Sequence, residues 1–109
     1  MGRFVKGEVI VLPFPFSDLS KSKRRPALVI ANLQGDDVIL CQITGQGPDS
    51  YSIPLSNNDF ELGGLKKSSN IRPNRIFTAD SNIVVYSAGK LGLNKLDQVI
   101  NKIISILQA

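Results

Sequence analysis

Apolar residues in this chain come in short unbroken runs, each closed off by proline or glycine, until the final segment, where they adopt the spacing of a helix. Val9-Ile10-Val11-Leu12 lies inside a strand expected over residues 7-13 and stopped by Pro13 and Pro15. Such continuity leaves no polar face, so the strand is expected to be buried on both sides. A second strand over residues 25-33 and a third over 38-44 are joined at Gly35-Asp36, which suits a hairpin turn. Shorter extended stretches follow. One lies near Tyr51 to Leu55, where Pro54 demotes it to an edge or strand end. A polar loop then closes with Gly63-Gly64, and Pro73 separates two more stretches, Lys67 to Ile71 and Asn74 to Phe77. A last one surrounds Ile83 to Tyr86, ahead of Gly89. Leu96, Val99, Ile100, Ile103, Ile104 and Leu107 then recur at three and four, with Asn94 as the expected N-cap and Asp97 three residues later. The pattern reads as mainly β with a C-terminal α-helix: a small barrel completed by a helix that packs its apolar face onto it.

With 109 residues, 1-109 is a single domain with one modest core. No run approaches the roughly 18 apolar residues of a membrane span, and no long apolar leader opens the chain, so the expectation is a cytoplasmic protein with no membrane contact. Histidine is absent. That removes the usual proton shuttle and the commonest metal ligand, excluding serine-histidine triads and histidine-based zinc sites. Neither a metal nor a cofactor is expected. The lone Cys41 sits in the apolar run of the third strand and reads as a small buried hydrophobe.

Net charge is +4, and its distribution is more informative than its size. Lys21, Lys23, Arg24 and Arg25 form one basic group, and Lys66, Lys67, Arg72 and Arg75 another. Asp36, Asp37, Asp49, Asp59 and Glu61 lie between them in sequence. A fold that joins the two groups makes one positive face for a phosphate backbone; the plain alternative is a set of solvated turns. Pro26 fixes its own φ and pushes Arg25 toward extended backbone, giving the guanidinium a restricted direction. In a hairpin of the second and third strands, Arg25 at the start of one neighbours Thr44 at the end of the other. A guanidinium beside a hydroxyl makes a phosphate site. Ser68, after Gly-Gly-Leu-Lys-Lys, is the third polar residue at a strand end.

Gly-Glu-Val-Ile, Pro-Phe-Pro-Phe-Ser-Asp, Lys-Arg-Arg-Pro-Ala-Leu-Val-Ile, Gln-Ile-Thr-Gly-Gln and Gly-Leu-Lys-Lys-Ser occur in that order from Gly7 onward. In these motifs the chain resembles the PemK/MazF toxin family, in its PemK-like subgroup, and the resemblance extends into the terminal helix. It implies an SH3-like barrel of the CcdB/Kid/PemK type. It also implies a homodimeric, metal-independent endoribonuclease that cuts single-stranded RNA at short recognition sequences and is neutralised by a cognate antitoxin. DNA would be met only through the antitoxin complex. The family's catalytic arginine before proline falls on Arg25 and its strand-end threonine on Thr44.

In family terms the nucleotide's own 2′-hydroxyl attacks the adjacent phosphodiester, leaving 2′,3′-cyclic phosphate and 5′-hydroxyl ends. A preorganised arginine stabilises the negative charge that builds on the phosphorus oxygens. Asp18 in the first loop and Glu8 at the first strand are the carboxylate candidates for the proton, each also readable as a turn cap. Ser68 is a further positioning candidate. Lys21, Lys23, Arg24, Gln46, Lys66, Lys67, Arg72 and Arg75 are expected to hold RNA. Where many members read Arg-Thr-Ile-Asp, this chain has Phe77-Thr78-Ala79-Asp80, leaving Arg72 and Arg75 as the nearby source of that positive charge. Phe14, Phe16 and Phe77 suit either base stacking or packing in a core or dimer seam. The competing reading is a non-catalytic barrel that binds RNA or a protein target, as gyrase-inhibiting relatives of the fold do.

Overall fold

The computed structural model describes residues 4–14 and 23–109, with Phe14 described in its backbone alone. Its strands are β1 (Glu8–Phe14), β2 (Lys23–Asn32), β3 (Asp37–Thr44), β4 (Ile53–Leu55), β5 (Phe60–Gly63), β6 (Ser69–Asp80) and β7 (Tyr86–Leu91), followed by the helix α1 (Leu93–Gln108). They form one sheet in the order β4-β6-β3-β2-β1-β7-β5, every pairing antiparallel. The sheet makes the half-barrel expected of an SH3-like fold, with one C-terminal helix.

The apolar runs occupy its middle. Strand alternation sends Val9, Leu28, Ile30, Cys41, Ile43 and Ile71 into a cluster that Leu96, Val99 and Ile103 of α1 seal. Ile10, Leu12, Ala27, Val29, Val38 and Leu40 form a second cluster, against which Phe4, Phe77, Ala79 and Val84 pack. Both sides of β1, β2 and β3 are therefore buried, as their unbroken hydrophobicity requires. Burying each of the Val, Leu and Ile side chains contributes about 1.5–3 kcal/mol.

Several expectations need correction. Pro73 does not separate two strands. It lies within β6, whose register jumps from Ile76 opposite Cys41 to Arg72 opposite Gln42, so that Pro73, Asn74 and Arg75 form an unpaired bulge. A proline costs no ladder bond there. The loop closing at Gly63-Gly64 contains β5, an edge strand too polar and too short to announce itself. The stretch expected over Ile83 to Tyr86 is instead a 3-10 turn at Ser81–Ile83, with β7 beginning only at Tyr86. The helix starts at Leu93 with Gly92 as N-cap and no side-chain cap, so the N-cap lies two residues ahead of the expected Asn94. Its first turn is held instead by Lys95, whose Nζ donates to the Pro54 carbonyl at 2.9 Å and lies 3.6 Å from Asp59.

One close approach demands glycine. Gly63 and Gly89 are register partners of β5 and β7, both at positive φ (69° and 154°), and a Cβ on either would strike the backbone of the other strand.

Candidate nucleic-acid interface

Register places the site. Arg25 pairs with Leu12 and Ala27 with Ile10, so Arg25 shares the sheet face of the second apolar cluster. Across β2 and β3 the last registered pair at this end is Ala27 with Gln42, and Arg25 and Thr44 each lie two residues beyond it. Two residues preserve the face. Across β3 and β6, Gln42 pairs with Arg72 and Thr44 with Asn70. Arg25, Thr44 and Asn70 thus belong to one row, and Gln42 and Arg72 to the next, on the face where the apolar cluster gives out. Burial marks the change: Arg25 is half-buried while Thr44 is 5% exposed.

The chain between Thr44 and β4 crosses this face. Strands β3 and β4 run parallel on either side of β6, so residues 45–52 must arch over it. Two β6 side chains carry the arch. Asn70 donates from Nδ2 to the Gln46 carbonyl at 2.9 Å. Arg72 donates from NH1 to Asp49 Oδ2 at 2.8 Å and from NH2 to the Gly47 carbonyl at 3.0 Å. Asp49 in turn accepts from the backbone N–H of Tyr51 (2.9 Å) and Ser52 (2.8 Å), an Asx turn. The Tyr51 amide, the Arg72 charge, the Ser52 amide and the nearby charge of Arg75 hold the Asp49 carboxyl below its ordinary 3.8, against a smaller opposing effect of desolvation. Thr44 Oγ1 accepts from the Gln46 N–H at 3.2 Å.

The remaining sequence candidates fall as follows. Lys23 and Arg24 are exposed at the start of β2, and Lys66 and Lys67 are exposed just before β6. Because β2 and β6 both run antiparallel to β3, the two basic groups reach the same end of the sheet, the end at which Thr44 stands. Arg75 is exposed on the β6 bulge. Gln46 is exposed on the arch. Arg72, expected among the RNA-binding cations, has a side chain only 13% exposed and both terminal nitrogens engaged in the arch.

Ser68 is exposed and lines, with Ser69, Asn70, Pro54 and Lys95, an open cleft of about 460 Å³ between β4, β6 and the start of α1. Glu8 is not brought to the site. It lies four residues along β1 from the Arg25 partner Leu12, roughly 13 Å at the strand rise, and its Oε1 accepts from the Val5 N–H at 2.9 Å as a turn cap. Asp18, Lys21 and Phe16 lie outside the described residues, as does the side chain of Phe14. Phe77 packs against the second apolar cluster, which is the packing alternative of its two expected roles. Cys41 is fully buried, its Sγ donating to the Arg72 carbonyl at 2.9 Å, and burial pushes its thiol up to about 12.

Asn70, Asp49 and Gln42 were not singled out by the sequence. Asp49 carried a usable signal, since Asp-Ser-Tyr-Ser after Gly-Pro is an Asx-turn pattern. Asn70 and Gln42 carried none without the register.

Comparison with known structures agrees with this architecture. The chain resembles an endoribonuclease in complex with its cognate antitoxin from a mycobacterial species, at 12% identity and a TM-score of 0.75, over 99% of this chain and 96% of that one. It resembles the toxin MazF-mt6 of Mycobacterium tuberculosis at 14% identity and a TM-score of 0.72, over 93% and 96%. The MazE-MazF structure (Form-II) from Deinococcus radiodurans matches at 21% identity and a TM-score of 0.76, over 94% of each chain. These likenesses show the fold. No curated protein matches the sequence. Residues 5–107 match the PemK-like, MazF-like toxins of type II toxin-antitoxin systems, a span that takes in every strand and nearly all of α1, and the chain belongs to that family.

Proposed function

We propose that this protein is a cytoplasmic endoribonuclease toxin that cuts single-stranded RNA at short sequences, without a metal, and is held in check by a cognate antitoxin. One observation carries the reading: Arg25 and Thr44 occupy the same face of adjacent strands at the same level, two residues past the pair Ala27 and Gln42. A scissile phosphate seated over that row meets a guanidinium fork from one strand and a hydroxyl from the next.

The chemistry follows from those groups. The 2′-hydroxyl loses its proton to a base as the O2′–P bond forms and the P–O5′ bond breaks. The departing O5′ takes a proton, giving 2′,3′-cyclic phosphate and 5′-hydroxyl ends. Negative charge grows on the non-bridging oxygens in the transition state, where a fixed Arg25 stabilises it more than it stabilises the ground state. Arginine stays protonated and is no base. The Thr44 hydroxyl, its oxygen already accepting from Gln46 N–H, has its proton available for a phosphate oxygen.

Lys23, Arg24, Lys66, Lys67 and Arg75, exposed around that end of the sheet, supply the field that draws the RNA backbone. The same cations suit the acidic segment of an antitoxin, and the toxin is expected to work as a homodimer that meets DNA only through that complex. Purified protein should cut single-stranded RNA in excess chelator and leave cyclic-phosphate termini. Salt-sensitive RNA binding with no cleaved product would overturn the enzyme in favour of a binding module.

A further inference from the structure

We propose, resting on the assignment of Thr44 to the RNA-cleaving site, that Arg72 and Asp49 are positioning residues for Thr44, acting through the arch of residues 45–52 rather than on RNA. A connected set of bonds links them. Arg72 holds Gly47 and Asp49, Asn70 holds the Gln46 carbonyl, and the Gln46 N–H holds Thr44 Oγ1. Each bond fixes the next.

Charge and burial separate this role from RNA binding. The Arg72 guanidinium is neutralised by Asp49 at 2.8 Å, its Nε is buried with no hydrogen-bond partner among the described residues, and its side chain is 13% exposed. Both terminal nitrogens already donate to the arch, and burial leaves little of the guanidinium open to a phosphate. Arg75, three residues on, stands exposed on the bulge and is the β6 arginine free of such a ligand.

The consequence lies in the direction of one proton. A hydroxyl has one donor hydrogen and two acceptor sites, and the bond from Gln46 N–H occupies an acceptor. With one acceptor site occupied from the arch side, the oxygen is anchored and the O–H hydrogen of Thr44 is left for a phosphate oxygen. Loosening the arch frees the hydroxyl to rotate or to bond a nearby carbonyl, and a misaligned donor slows the chemical step without removing the cations that bind RNA.

The test is a double-mutant cycle read by single-turnover cleavage of a single-stranded RNA oligonucleotide, with its dissociation constant measured in parallel. Asp49→Asn should slow cleavage roughly tenfold while changing RNA affinity less than about twofold. In a Thr44→Val background, already slow, Asp49→Asn should cost less than about twofold more. Asn70→Ala releases Gln46 without touching the ion pair and should behave alike, which keeps the test open if Asp49→Asn folds poorly. Equal slowing in both backgrounds, or a loss of affinity with an unchanged rate, would overturn the positioning role. Thr44→Val cleaving at the wild-type rate would instead remove Thr44 from the cleaving site.

Discussion

The two ends of β3 carry opposite charge. At the Asp37 end, Asp37 pairs with Asp80, and Asp36 accepts from Asn82 Nδ2 at 3.2 Å while its carbonyl receives the Ser81 N–H at 2.8 Å. At the Thr44 end stand Arg25, Asn70 and Arg72, with Lys23, Arg24, Lys66 and Lys67 around them. Between them Val38, Leu40, Cys41 and Ile43 are fully buried. The eight residues of β3 separate the ends by roughly 24 Å, about three Debye lengths at physiological salt. Carboxylates at one end therefore do not cancel cations at the other, and a polyanion is drawn to one end only.

The largest test of that contrast is Arg25→Ala. It should lower RNA cleavage by about 10²–10³-fold in a protein whose circular dichroism and melting temperature are unchanged. Next, Lys66→Ala with Lys67→Ala should weaken RNA binding across all sequences. The slope of log affinity against log salt should shrink by about 1.4, the amount expected when two phosphate contacts of a single strand are lost.

The opposite end should answer differently. Asp80 caps the 3-10 turn by accepting from Asn82 N–H at 2.8 Å, so Asp80→Ala should cost about 1 kcal/mol in denaturant unfolding and leave cleavage as it was. A drop in cleavage there would erase the distinction between the ends. The smallest effect is in acid. Asp49 has its carboxyl held lower in the folded chain than the 3.8 it takes when unfolded. Below 3.8 the unfolded state binds the proton first, so stability falls as pH drops through the folded value. Asp49→Asn should abolish that part of the acid dependence, measured as denaturant midpoint against pH.

What the sequence made legible follows the strength of its periodic signals. β1, β2, β3 and the helical stripe were readable because burial on both faces forces continuous apolar runs and a packed helix forces spacings of three and four. β5 and β7 lie at the exposed flank of the sheet, where Leu62 and Tyr86 face solvent and glycines interrupt, so no alternation marks them. Pro73 misled because its strand resumes beyond a bulge, and a bulge has no period.

Within the candidate site, hairpin logic reached the strand ends, where Arg25 and Thr44 each lie two residues beyond the pair Ala27 and Gln42. The engagement of Arg72 in the arch was not legible, for a different reason. A cation's partner decides its role, and Asp49 lies 23 residues away, within an arch that only the β4-β6-β3 strand order creates.

The three unpaired residues of β6 have one more consequence. Because Pro73, Asn74 and Arg75 answer to no partner on β3, and Asn74 and Arg75 are exposed, the bulge acts as an expansion joint: a residue gained or lost at Asn74 or Arg75 shifts neither Asn70 against Thr44 nor Phe77 against Leu40. Such a strand can change length at its exposed bulge while Ile71 keeps its place in the core and Phe77 its place opposite Leu40.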